Sequence, residues 1–498
     1  MSAFSKAFLL LSCTFLGLIC GTLYLYSSYS PQFASRLEYS ATDSSRIALL
    51  GTIGVAVAGP VAGRLVDKRG YTVSLIIGGA FVILGYYGMK KQYDSKHSSV
   101  HLSALLIFLI GCGSTFMNSA CLKCCAVSFP SIRGVATSLP LALYGLSALF
   151  YSVIAALFFP GNTSDFLGFL SYSSAIIFVI CTPSIIIYDM EHGRRRARIA
   201  GTIQEIELST ITSNPVVHHR PHLHKDVGMV GTGSDDGAVA GGSSFGFDLG
   251  LEDDGGEVGG IDLIYNKKFW IIFFITGSLA SLGQMYIYSV GYVVKALVSF
   301  GHISASMEND PEFQTKIGTL IQQNQSFQVG LLSVANCVGR IASGILGDIV
   351  SQRNKPRSWL LFIPSLGLLL TQIMGYTFQD YKNLTLLSLL IGFFYGFTFC
   401  IMPLIVGDTF GMENYSLNWG FVGLAPILPS FYFTNLFGET YDSNSVRIEA
   451  TGSQSCTLGR ECYGSVFYLT IWVTVISTIA VVALNMKKRN TVIERPIN

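Results

Sequence analysis

Charge is scarce in this chain. Only 12% of its 498 residues are Asp, Glu, Lys or Arg, while 50% are hydrophobic. Soluble domains carry about 25% charged residues, so a fold built for water is excluded. A net charge of +2 removes the electrostatic footprint expected of a nucleic-acid binder. The sequence also lacks a phosphate-cradling glycine loop, a nucleophile elbow and a metalloprotease histidine pair. No enzyme activity, cofactor or metal site is therefore expected, and a nucleotide-driven pump is disfavoured. No small-residue cleavage site closes the first apolar run, which begins near Ala7 and is expected to stay as a membrane span.

Long apolar runs are abundant. Crossing a bilayer core takes about 20 mostly apolar residues. Runs of that kind lie near 7–27, 46–64, 71–89, 102–122, 135–159 and 167–188, then near 269–294, 325–347, 358–378, 384–406, 417–437 and 464–486. The expected fold is an all-α integral membrane protein of 12 transmembrane helices in two six-helix bundles, residues 1–190 and 267–486. Between them, 191–266 reads as a cytoplasmic linker. It opens basic, turns rich in Gly, Ser, Asp and Glu, and lacks the apolar periodicity needed to offset ordering entropy. His218, His219, His222 and His224 within it read as a solvated tract rather than a metal site. Residues 487–498 form a cytoplasmic tail. Lys and Arg set the orientation. With the amino terminus in the cytoplasm, that side collects Lys68, Arg69, Arg133, Arg194–Arg196, Arg353, Lys355, Arg357 and Lys487–Arg489, leaving a thinner scatter opposite.

One short pattern occurs twice. Gly63-Arg64-Leu65-Val66-Asp67-Lys68-Arg69 ends the second run, and Gly344-Ile345-Leu346-Gly347-Asp348 ends the matching run of the other half. In each, glycine precedes aspartate by one helical turn on the same face. The glycine permits close helix approach, and the aspartate can accept hydrogen bonds at the water boundary. Gly63, Asp67, Arg69, Gly344 and Asp348 are thus gating candidates, against the plainer reading of packing at a membrane edge.

The doubled motif and the six-plus-six layout resemble the major facilitator superfamily. Tyr29-Ser30-Pro31-Gln32, Arg36-Leu37, Gly59-Pro60, the stretch from Gln328 to Arg340, Asn418-Trp419-Gly420 and Tyr441-Asp442 look like its nodulin-like branch. Throughout its membrane portion the chain is similar to fungal monocarboxylate-transporter-homologue proteins of the vacuolar membrane. The resemblance implies alternating access. Its implied partners are the lipid bilayer, a small organic solute (a carboxylate-type metabolite being one candidate) and, as a further candidate, a coupling ion. A transporter-fold nutrient sensor or scaffold is the alternative.

Arg340 interrupts an apolar run, at a cost of about 2.5–3.5 kcal/mol for a midspan arginine. Carboxylate-carrying relatives hold an anion with an arginine at this point. The other reading has Arg340 snorkelling to the surface to support Asp348. One turn earlier, where those relatives have a titrating aspartate, stands Asn336, which puts proton coupling in doubt. The fold's cavity-lining helices would contribute Tyr24, Tyr26, Asn118, Gln284, Tyr288 and Tyr395. Tyr29 and Tyr292 read as an interfacial belt. Cys456 and Cys462 share the last non-cytoplasmic loop and are disulfide candidates. Cys124 and Cys125 read as ordinary helix-end thiols rather than lipidation sites.

Overall fold

A computed structural model describes residues 3–39, 41–159, 161–213, 258–260, 262–302, 311–447 and 454–491. Among them, twelve helices are long and apolar enough to cross a membrane. They are α1 (Ser5–Leu25), α2 (Arg46–Arg69), α3 (Tyr71–Ser95), α4 (Val100–Ser128), α5 (Pro130–Phe158), α6 (Thr163–Gly193), α7 (Lys267–Phe300), α8 (Lys316–Gln352), α9 (Arg357–Thr377), α10 (Tyr381–Phe410), α11 (Tyr415–Ser443) and α12 (Gly464–Met486). Helices dominate for a physical reason. Hydrocarbon offers no hydrogen-bond partner, so each spanning segment must satisfy its own backbone. Large apolar residues such as Leu11, Leu157, Phe158, Ile180, Leu428 and Ile479 are more than half exposed and form the lipid-facing surface.

The chain forms two compact units, Met1–Asp189 with Glu257–Asn498, and Met190–Gly256. The first contains both halves. Its core is divided, with Leu9, Leu16, Tyr86, Met117 and Tyr151 in the first half and Leu282, Tyr286, Leu387 and Phe467 in the second. A smaller group, Leu122, Ala126, Leu141, Cys400 and Tyr415, mixes residues of both halves. In the second unit the described residues are helical, since the helix that begins at Thr163 continues to Ser213.

Two expectations for the linker change. The basic stretch at its start is helical rather than irregular, because α6 does not stop at the end of its apolar run. At its other end, Val258 and the short helix Asp262–Tyr265 belong to the first unit. The four histidines lie outside the described residues.

Candidate functional site

Two seams join the halves at the ends of α2 and α8. At the first, the buried Asp67 carboxylate reaches the opposite half: Oδ2 accepts from the Leu417 amide at 2.8 Å and Oδ1 from the Ser416 amide at 3.2 Å. Both amides lie at the start of α11, where helix N–H groups lack internal partners and the helix dipole favours negative charge. Lys123 of α4 completes the arrangement. Its Nζ donates to Asp67 Oδ1 at 2.5 Å and to the Glu413 carbonyl at 2.8 Å. Gly63 sits one turn behind Asp67, and a Cβ there would strike the Ser416 carbonyl. A further turn back, Gly59 and Gly420 face each other backbone to backbone.

The second seam repeats this plan. Asp348 accepts from the Gly134 amide at 2.6 Å and the Val135 amide at 2.8 Å, at the start of α5. Gly344 lies against Gly134 and Ser138 so closely that a Cβ on either glycine would overlap the other's carbonyl. The cation here is Arg357, 3.5 Å from Asp348 and bound through two contacts of 2.7 and 2.8 Å to Asp408. Arg133 lies 3.7 Å from Asp408 and extends the network back to the first half.

A further turn along α8 the seams diverge, because the residue matching Gly59 is Arg340. Its side chain is only 4% exposed, so it does not snorkel to the surface. Nε donates to Asn336 Oδ1 at 2.8 Å, and NH1 donates to the Leu141 carbonyl of the opposite half at 2.7 Å. The guanidinium carbon lies 5.7 Å from the Tyr144 ring centre and 5.9 Å from that of Phe399. No carboxylate among the described residues pairs with it. Asn336, Arg340, Gly344 and Asp348 recur every four residues, forming one stripe that faces α5.

Around Arg340 the structure gathers part of the expected set. Tyr24 packs edge-on against Tyr144 at 5.9 Å, and Tyr395 contacts Phe399 at 4.8 Å. Tyr24 and the half-exposed Tyr288 neighbour Tyr395. Gln284 neighbours Tyr395 and accepts a hydrogen bond from Ser430 on α11. Asn118 lies one turn along α4 from Ser114, which bonds to the Cys20 carbonyl of α1, and its Oδ1 is buried without a partner.

Other expected residues lie elsewhere. Tyr26 bonds to Ser44 at 3.2 Å and stacks edge-on with Tyr29 in the first-half core. Tyr26 is thus engaged within its own bundle, and no hydrogen bond or ring contact among the described residues joins it to Arg340. Tyr29 is 3% exposed and is a core residue rather than an interfacial one. Arg69 is exposed and takes no part in the latch, where Lys123 supplies the cation instead. Cys124 and Cys125 are fully buried and inaccessible to a lipidating enzyme. Cys456 and Cys462 form a disulfide. A cleft of about 900 Å³ lined by Gln32, Arg36, Tyr93 and Lys96 lies at the opposite end of the first half and shares no residue with the Arg340 group.

Lys123 and Asp408 were not expected at the latches, whereas Arg357 comes from the basic stretch that follows Asp348. Lys123 did carry a signal, being a lone cation near the end of an apolar run, where an unpaired charge is costly.

Comparison with known proteins fits this geometry. The nodulin-like family model matches residues 6–205. An uncharacterized membrane protein of Saccharomyces cerevisiae is 26% identical across 90% of this chain and 89% of its own. The probable transporter MCH1 of Wickerhamomyces anomalus is 25% identical across 87% and 78%, respectively. Among solved structures, the proton:xylose symporter XylE superposes with a TM-score of 0.59 at 14% identity, covering 96% of this chain and 95% of its own. The E. coli fucose:proton symporter FucP gives 0.54 at 13% identity, covering 95% and 98%. The chain has the major facilitator fold, and its first half is similar to the nodulin-like family. It is a multi-pass membrane protein.

Proposed function

We propose that this nodulin-like protein is a secondary carrier of a small organic solute, with a carboxylate-type metabolite as its preferred class. It works by alternating access between the two halves. One observation carries the reading: among the described residues, the buried guanidinium is held by neutral acceptors alone. Asn336 and the Leu141 carbonyl orient Arg340 but leave its positive charge uncompensated. An anionic solute supplies the missing charge, and a carboxylate matches the guanidinium with two parallel hydrogen bonds. Tyr144, Phe399, Tyr395 and Tyr288 supply apolar and aromatic surface around that point, and Gln284, with Asn118 deeper in α4, adds polar contacts.

The same contacts tie occupancy to motion. Leu141 belongs to the half opposite Arg340, so a solute that competes for the guanidinium loosens a bond across the seam. Asn336 cannot titrate, so a coupled proton would have to use another group. Gly63 with Asp67, and Gly344 with Asp348, act as the gates. In this reading the latch end, both termini and the linker are cytoplasmic, which the basic residues at the latch end support. A vacuolar membrane location is part of the proposal and rests on the resemblance of the sequence to fungal monocarboxylate-transporter-homologue proteins.

Flux into vesicles containing the purified protein tests the reading against a panel of mono- and dicarboxylates and neutral sugars. Carboxylate flux above that of empty vesicles, cut tenfold or more by Arg340→Ala, is the expected result for loss of a charge-assisted contact of about 1.5–3 kcal/mol. Flux that is equal in the variant removes Arg340 from the site. Flux of no solute, with a signalling defect on linker deletion, favours the sensor.

A further inference from the structure

We infer that Val258–Gly260 form a strap that holds the first latch closed, and that Asn418 is the positioning residue receiving it. Nothing in the proposed transport site uses the Asn418-Trp419-Gly420 motif, yet Asn418 is completely buried. Its Nδ2 donates to the Val258 carbonyl at 2.8 Å, and the Val258 amide donates to the Phe410 carbonyl at 3.2 Å. Val258 is thereby pinned on both sides of the turn between α10 and α11. Its side chain packs against the core that includes Phe410, Val422 and Trp419. Gly259 lies over Asn414, whose side chain would meet any added Cβ at 2.5 Å, and Gly260 turns the chain with φ at +71°. A residue larger than glycine is disfavoured at both positions for these separate reasons.

The partners alternate along one short stretch. Glu413, Ser416 and Leu417 are bound by Lys123 and Asp67 of the first half. Asn414 and Asn418 are met by the strap. The strap therefore fixes, from outside the membrane spans, the helix start whose amides cap Asp67. Val258 lies two residues past Gly256, where the second unit ends. The inference rests on the reading that the Asp67 seam opens, and its test reads that opening without requiring a solute.

The experiment introduces Ser416→Cys, a conservative change at a site 3% exposed beneath the latch. Maleimide labelling of the purified full chain is followed by peptide mass spectrometry, which separates position 416 from the native thiols. Asp67→Asn is the control, and Asn418→Ala and Gly259→Leu are the strap variants. The latter leaves the α11 sequence untouched, and melting curves confirm folding. Labelling about fivefold faster or more in the control and both strap variants is the expected result for loss of one buried hydrogen bond. Faster labelling in the control alone overturns the strap. No change in any of them overturns both the strap and the gating role of Asp67.

Discussion

The two seams share a frame and differ at one position. In each, an aspartate from one half caps the first amides of a helix in the other, and a glycine one turn back lets the backbones meet. At the next turn the first seam has Gly59 against Gly420, whereas the second has Arg340 reaching the Leu141 carbonyl. Closure is thus built twice from backbone, while charge deep in the seam is built once. In the proposed reading the duplicated part is the gate and the unduplicated part is the site. Their cations differ as well. Lys123 has Asp67 as its carboxylate partner and donates to a carbonyl of the opposite half. Arg357 shares itself between Asp348 and Asp408.

That asymmetry can be broken most forcefully at Asp67. Asp67→Asn removes the carboxylate bonded to the buried Lys123 ammonium, and losing one member of a buried pair costs about 3–5 kcal/mol. A large drop in melting temperature is expected, partly recovered by adding Lys123→Met. Asp348→Asn should cost less, about 1–3 kcal/mol, because Arg357 keeps Asp408. Equal losses at the two positions would show that the cation networks are interchangeable.

Arg340 offers the next test. Arg340→Lys keeps the charge but loses the planar fork that serves Asn336 and Leu141 together. Carboxylate flux should fall about tenfold or more, nearly as far as in Arg340→Ala. Full activity in the lysine variant would mean that a point charge suffices. At Gly344, an alanine should block closure of the second seam, since its Cβ would strike the Gly134 carbonyl. Protease or label access at the start of α5 should then rise. The smallest effect is expected far from both seams. Reducing Cys456–Cys462, which closes a loop of sequence separation 6, should cost about 2 kcal/mol or less and leave seam distances unchanged.

Much of the fold was legible because hydropathy is a local signal. The expected run at 71–89 becomes Tyr71–Ser95, and that at 464–486 becomes Gly464–Met486. The glycine–aspartate pairs were legible for the same reason, being one turn apart on a single helix. Their partners were not. Leu417 meets Asp67 across 350 residues, and Val135 meets Asp348 across 213. These partners are backbone amides, which carry no sequence signature. Tyr26 misled for a related reason: an aromatic in the first apolar run can face the cavity or its own bundle, and only packing decides. Arg69 was drawn in by motif proximity, whereas the buried cation beside Asp67 comes from a different helix.

The central claim is that the halves part at both seams as one event. Pulsed electron spin resonance tests it with label pairs at the exposed positions Lys68 with Glu413 across the first seam, and Ser131 with Gln352 across the second. A short distance should dominate for both pairs in the unmodified background. Asp348→Asn should shift both toward a longer population together, including at the seam it does not touch. A second seam that lengthens while the first stays fixed would contradict the account.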